Sequence, residues 1–152
     1  MAHYCTTVQS PAPAEDAFTY LADFATVAEW DPGVKSAHLL GGEPGRTGAR
    51  YLVKASFLGR TLPLEYVILE SVEPTAEFAG RVVLEAITPD FRSYDIITVA
   101  PRRGGSTVTY DADLALRGFR RPFDPFLRVA FKIIGDRASS GLQSAVQLRS
   151  VT

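Results

Sequence analysis

A single cysteine, Cys5, leaves nothing for a thiol to pair with inside the chain. That excludes a small secreted fold stapled by disulfides. Histidine is almost as scarce, with His3 and His38 alone. His3 and Cys5 alternate on one short strand and share a face, but a zinc site needs three or four ligands and only His38 remains to join them. No metal is therefore expected, and the plainer reading is a frayed terminus and a buried thiol. No apolar run reaches the roughly 18 residues that cross a bilayer. Met1-Ala2-His3-Tyr4-Cys5 lacks the basic start and apolar stretch of a secretion signal, so the cytoplasm is the expected compartment. An excess of charge is missing too: 16 basic residues stand against 17 acidic, a net charge of -1. A general nucleic-acid binder carries a strong basic excess, so no nucleic-acid partner is expected. There is no Gly-x-Ser-x-Gly elbow, and the glycines from Gly41 to Gly48 lack the Gly-Lys-Ser/Thr ending of a phosphate loop.

What the chain does have is apolar content, 46% of 152 residues, enough for the core of one domain spanning 1–152. Tyr4 to Gln9 reads as a strand that ends at Ser10-Pro11. Ala17, Phe18, Leu21 and Ala22 then recur at helical spacing, with Glu15 and Asp16 in the first turn, where the helix dipole favours acids. Phe24 to Glu29 predicts a second short helix, stopped by Trp30-Asp31-Pro32-Gly33. Strands follow over Val34–Leu40, Ala49–Phe57, Leu62–Val72, Phe78–Ile87, Phe91–Ala100 and Thr107–Leu116. The second of these alternates: Ala49, Tyr51, Val53, Ala55 and Phe57 share one face, and Arg50, Lys54 and Ser56 the other, as in a half-buried antiparallel strand. Asp124-Pro125 supplies an N-cap and a first-turn proline. Phe126, Leu127, Ala130, Ile134, Ala138, Leu142 and Ala145 then predict one long helix from about Pro125 to Leu148.

Segregated strands and helices mean α+β: a curved antiparallel sheet of six to seven strands around a long C-terminal helix, with two short helices after strand 1. One helix about 10 Å wide cannot fill the trough of so wide a sheet, which predicts a cavity. The order of elements resembles the START-like (SRPBCC), helix-grip superfamily, in its polyketide cyclase/dehydrase-like branch. The resemblance covers nearly the whole chain and is carried by five pieces. These are Pro13-Ala14-Glu15-Asp16-Ala17-Phe18, the stretch from Phe24 through Trp30-Asp31-Pro32, Gly45-Arg46-Thr47-Gly48, Glu70-Ser71-Val72-Glu73-Pro74, and Gly104-Gly105-Ser106-Thr107-Val108-Thr109. It implies a deep pocket between sheet and C-terminal helix. It does not fix a function, because relatives bind lipids, hormones or polyketides, and some are enzymes.

Candidate site residues follow from strand register. Aligning the last two strands about the Arg102–Gly105 loop sets Val99 opposite Val108, Ile97 opposite Tyr110, Asp95 opposite Ala112 and Ser93 opposite Leu114. The apolar members mark the inner face, so Asp95 and Ser93 fall inside. A carboxylate there is costly unless paired, and Arg137 on the covering helix is the expected partner. The competing reading is a bulge that slips the register and leaves Asp95 solvated. Tyr51, Tyr66 and Tyr110 sit at inward positions, as core or as pocket wall. The expected walls are Tyr51, Val53, Tyr66, Val82, Leu84, Ser93, Ile97 and Tyr110 from the sheet, with Leu127, Ala130 and Ile134 from the helix. Arginines interleaved with phenylalanines in Arg117-Gly118-Phe119-Arg120-Arg121-Pro122-Phe123 suit transient contact with an anionic membrane. A solvated helix entry is the stronger reading. The leading expectation is a binder of an apolar ligand, lipid-like or polyketide/aromatic. Beside it stand a cofactor-independent cyclase, aromatase or dehydratase using Asp95, Arg137 and a pocket tyrosine, and an adaptor without a large cavity. The sequence sets no oligomeric state.

Overall fold

A computed structural model describes residues 2–57, 59–117 and 124–148; the side chains of residues 57, 124–131, 134 and 148 also lie outside the description. The elements, in chain order, are strand β1 (Ala2–Ser10), helix α1 (Ala14–Ala22), a 3-10 turn (Phe24–Thr26), helix α2 (Val27–Trp30), six strands, and helix α3 (Asp124–Leu148). The strands are β2 (Val34–Gly41), β3 (Arg50–Phe57), β4 (Arg60–Val72), β5 (Gly80–Ile87), β6 (Phe91–Arg102) and β7 (Gly105–Leu116). They form one antiparallel sheet in the order β1-β7-β6-β5-β4-β3-β2. This is the α+β, helix-grip arrangement expected, with seven strands. None of the described helices is long and apolar enough to cross a membrane.

The strand order has a consequence for what covers the sheet. β1 and β2 are consecutive in the chain yet occupy opposite edges, so the segment between them must cross the sheet's face. That segment is α1, the 3-10 turn and α2. Helix α1 buries Ala14, Ala17, Phe18, Leu21 and Ala22 and packs on β5, β6 and β7. The expectation that one long helix covers the trough alone is therefore corrected: the short helices take a large share of it. Phe24 sets its ring 6.3 Å from that of Tyr51 and 5.0 Å from that of Tyr66. Each such aromatic contact adds about 0.5–1.5 kcal/mol beyond area burial.

Helix α3 lies along β1 and against α2. Tyr4 OH donates to Asp136 at 2.8 Å, Thr6 and Ser139 share a hydrogen bond of 2.7 Å, and Ser10 Oγ donates to the Val146 carbonyl at 2.9 Å. Partner numbers rise together, so helix and strand run in the same sense. Gly135, Ala138, Leu142 and Val146 are buried at spacings of three and four, the stripe a helix needs to seat on a core. Ser10 also accepts from the Ala12 N–H at 3.1 Å, all of this without solvent. Replacing Ser10 by Ala orphans two buried backbone groups, and the expected loss is about 2 kcal/mol. Urea unfolding checks it; a change under 0.5 kcal/mol would show that the α3 C-terminus does not depend on this anchor.

The scarce donors are scattered. His3 pairs with Asp111 at 2.7 Å. Cys5 is exposed, which corrects the expected buried thiol: it faces away from the core side of β1, as His3 does. His38 lies on β2, at the opposite edge of the sheet from both.

A cavity with a buried carboxylate network

The β6–β7 hairpin fixes the site. Its pairing carries no bulge: Val99 faces Val108, Ile97 faces Tyr110, Asp95 faces Ala112 and Ser93 faces Leu114. A two-residue turn, Arg103-Gly104, closes it, with Gly104 at φ 84°, a conformation that favours glycine. Bulges do occur, but in the β2–β3 and β4–β5 pairs. Asp95 and Ser93 are accordingly buried, at 2% and 6% exposure.

A cavity of about 120 Å³ opens beside them. Its sheet-side wall comes from Val53 and Ala55 of β3, Leu62, Leu64 and Tyr66 of β4, Ser93 and Asp95 of β6, and Tyr110 and Ala112 of β7. Phe24, Val27 and Asp31 face these from the crossing segment, Val34 lines it from the start of β2, and Phe91, Leu114 and Leu116 lie at the far end of the hairpin. Four polar side chains form one chain of hydrogen bonds. Tyr66 OH donates to Ser93 Oγ at 3.0 Å, Ser93 Oγ donates to Asp95 Oδ1 at 2.9 Å, and Tyr110 OH donates to Asp95 Oδ2 at 2.6 Å. The first link depends on a small neighbour. Tyr66 pairs with Ala86, which pairs with Ser93, so the phenol crosses a strand that offers only a methyl group.

Burial pushes the Asp95 carboxyl up from 3.8 to about 6; the Tyr110 and Ser93 hydroxyls pull the other way, and the charges of Asp31 and Asp113 add to the rise. The Tyr110 and Tyr66 phenols are held well above their ordinary value, first by burial and then by the Asp95 charge. Asp31 is raised too, by burial, against a hydrogen bond from the Gly33 N–H at 2.8 Å.

Of the side chains expected at the pocket, Val53, Tyr66, Ser93, Asp95 and Tyr110 line it. Tyr51, Val82, Leu84 and Ile97 do not; they are buried in the core that α1 and Phe24 cover. Tyr51 has a structural task, its hydroxyl accepting from the Gly45 N–H at 2.9 Å. The side chains of Leu127, Ala130 and Ile134 lie outside the described residues. The Asp95–Arg137 pair is corrected. Arg137 is exposed, two residues beyond buried Gly135 and so about 200° round the helix from the face turned inward. Tyrosine and serine hydroxyls hold Asp95 instead. Asp31, Leu62 and Leu64 escaped the sequence reading. The two leucines alternate with Tyr66 and were legible from that period, whereas Asp31 reads as a mere helix stop.

Residues 1–147 match the family model described as polyketide cyclase / dehydrase and lipid transport. The chain belongs to this family. The fold of this family member recurs in solved structures. A START superfamily protein from Mycobacterium smegmatis superposes with a TM-score of 0.77 at 14% identity, over 100% of both chains. The Zhui aromatase/cyclase from Streptomyces sp. R1128 gives 0.72 at 14% identity, over 98% of this chain and 93% of its own. The STAR-related lipid transfer protein (a fragment) from Xanthomonas axonopodis gives 0.60 at 18%, over 90% and 85%. No curated protein matches the sequence.

Proposed function

We propose that this polyketide cyclase / dehydrase and lipid transport family member binds an apolar small molecule, lipid-like or polyketide/aromatic, in the cavity between the β3–β4 and β6–β7 strands and the crossing segment. The observation that supports it most is a wall of leucines, valines and phenylalanines around a few fixed polar groups, the Tyr66–Ser93–Asp95–Tyr110 network and Asp31, the usual composition of a ligand pocket. The existence of the cavity also weighs against the adaptor reading. A lipid transfer protein and an aromatase/cyclase among similar folds are consistent with such a ligand.

Nile red, a neutral solvatochromic dye, tests the reading. We expect saturable one-to-one binding, weakened at least tenfold in Ala112→Trp, because Ala112 is 3% exposed and lines the cavity. An indole there occupies the space the dye needs. Saturable binding unaffected by the substitution places the site elsewhere, and no saturable binding removes the proposal.

A second reading is a cofactor-independent enzyme that moves protons. Asp95 favours it, since a carboxyl poised near 6 and hydrogen-bonded to a phenol suits general acid or base work at neutral pH. Replacing Asp95 by Ala then costs about 10²–10⁴ in rate while binding persists. The stretch that suggested membrane contact, residues 118–123, lies outside the described residues; Arg117 beside it donates to the Thr88 carbonyl at 3.0 Å.

A further inference from the structure

The polarity of the cavity is fixed by where its protons point. An ionised carboxylate accepts only, so Ser93 and Tyr110 must both donate to Asp95. Ser93 has one proton, and it is committed to Asp95, so Tyr66 must donate to Ser93. All three hydroxyl protons at the buried end are therefore directed inward along the chain. What remains for a ligand is lone pairs: those of the two phenol oxygens, the remaining capacity of the Asp95 oxygens, and the Asp31 carboxylate. Asp31 receives only the Gly33 N–H among the described residues. No Lys, Arg or His lies among the described lining residues; the one other hydroxyl, Ser56, is exposed. The buried indole N–H of Trp30, without an acceptor among the described residues, belongs to a side chain that is not on the wall.

We infer that the cavity selects, among apolar molecules of its size, those that carry a hydrogen-bond donor, above all a protonated amine, and disfavours carboxylates and other anions. This rests on the cavity being a ligand site and adds the chemical class it takes. The reasoning is Coulombic. Two carboxylates within a low-dielectric wall repel an anion and attract a cation far more strongly than in water. A donor group on the ligand also completes lone pairs that burial otherwise leaves empty. With Asp95 poised at about 6, the carboxylate form dominates above neutral pH.

Three probes of one shape separate the claims: 2-naphthylmethylamine, 2-naphthylmethanol and 2-naphthylacetate, each titrated into the full chain by calorimetry at pH 7.5. The alcohol tests the cavity, and the ratio of amine to carboxylate tests its polarity. We expect the alcohol to bind, the amine to bind at least tenfold tighter than the carboxylate, and Asp95→Asn to bring that ratio towards one whatever it does to the alcohol, since Asp95 is part of the wall; an unchanged ratio in Asp95→Asn overturns the inference. Asp31→Asn, at the partly exposed side, should reduce the ratio by a smaller factor and serves if the Asp95 variant does not fold. A carboxylate that binds as tightly as the amine overturns the inference while leaving the cavity intact. If none of the three binds, or if Ala112→Trp leaves the binding of all three unchanged, the cavity itself is not the site and the inference falls with it.

Discussion

Replacing Asp95 by Asn should leave the protein's stability far less sensitive to pH between 4 and 7. In the native protein the folded state holds the Asp95 proton more tightly than the unfolded chain does, at about 6 against 3.8. A carboxyl raised in this way favours folding when protonated. Its contribution is complete below about pH 4 and is lost as pH rises through 6, the opposite sense from a salt-bridged aspartate. At 1.36 kcal/mol per pH unit, the shift amounts to about 3 kcal/mol. Solvent offers no discount, since Asp95 is 2% exposed. The amide keeps the size of the carboxylate but cannot ionise. It also turns an NH2 group towards one of two donors, Ser93 or Tyr110, which costs a fixed amount at every pH. The slope, not the offset, is therefore the measurement. Urea midpoints at pH 4, 5, 6 and 7.5, taken at unchanged m-value, should show the variant gaining on the native protein by about 3 kcal/mol across the series. Asp31, raised for the same reason, titrates in both proteins and largely cancels. Parallel curves would mean that Asp95 ionises at an ordinary pH, and that the network is more hydrated than its burial implies.

The network explains why so much of the site was legible and why one member was not. Asp95 could be placed from the chain alone because a two-residue turn at Arg103-Gly104 propagates a strict register along twelve-residue strands. In such a hairpin the inner face is set by parity. Identifying its partners was harder. An electrostatic argument asks for a cation, and Arg137 is a cation on the right helix. The fold answers instead with hydroxyls two strands apart in the sheet, Tyr66 reaching past Ala86 to Ser93. That link depends on register through three strands, one pair of which carries a bulge. The misplaced walls have a different cause. Tyr51, Val82, Leu84 and Ile97 are inward-facing, as their period demands, but an inward face is shared between cavity and packed core. What divides it is the path of the segment from β1 to β2, and only the order of strands in the sheet reveals that path. A sequence states which residues leave water; which of them meet another side chain and which meet a hole is decided by tertiary packing.

The same crossing segment makes Gly141 the most restricted glycine of α3. A glycine inside a helix is about 1 kcal/mol worse than alanine, so Gly141→Ala would stabilise an isolated helix. Here a Cβ would land on the carbonyl oxygen of Trp30, at the end of α2. That atom belongs to the backbone and has no rotamer by which to withdraw. Gly135, one and a half turns earlier, abuts the Tyr4 ring in the same way, so α3 is fitted against both β1 and α2 through positions without side chains. To accept alanine at 141, the helix must lift from α2, loosening buried Leu142 and Val146. Overpacking of this kind costs about 1–3 kcal/mol and occasionally more. With backbone as the obstacle we expect a net loss of about 3 kcal/mol, or a melting temperature lower by about 10 °C at this chain length. Ser140→Ala, at the exposed residue just before it, is the control and should be neutral or slightly stabilising. Trp30 is the only tryptophan and reports the seam directly. Its emission should shift to the red in Gly141→Ala and stay in place in Ser140→Ala. A Gly141→Ala protein as stable as the native one, with unchanged tryptophan emission, would show that α3 does not seat on α2 at the distance described, and the cover on that side of the sheet would have to be redrawn.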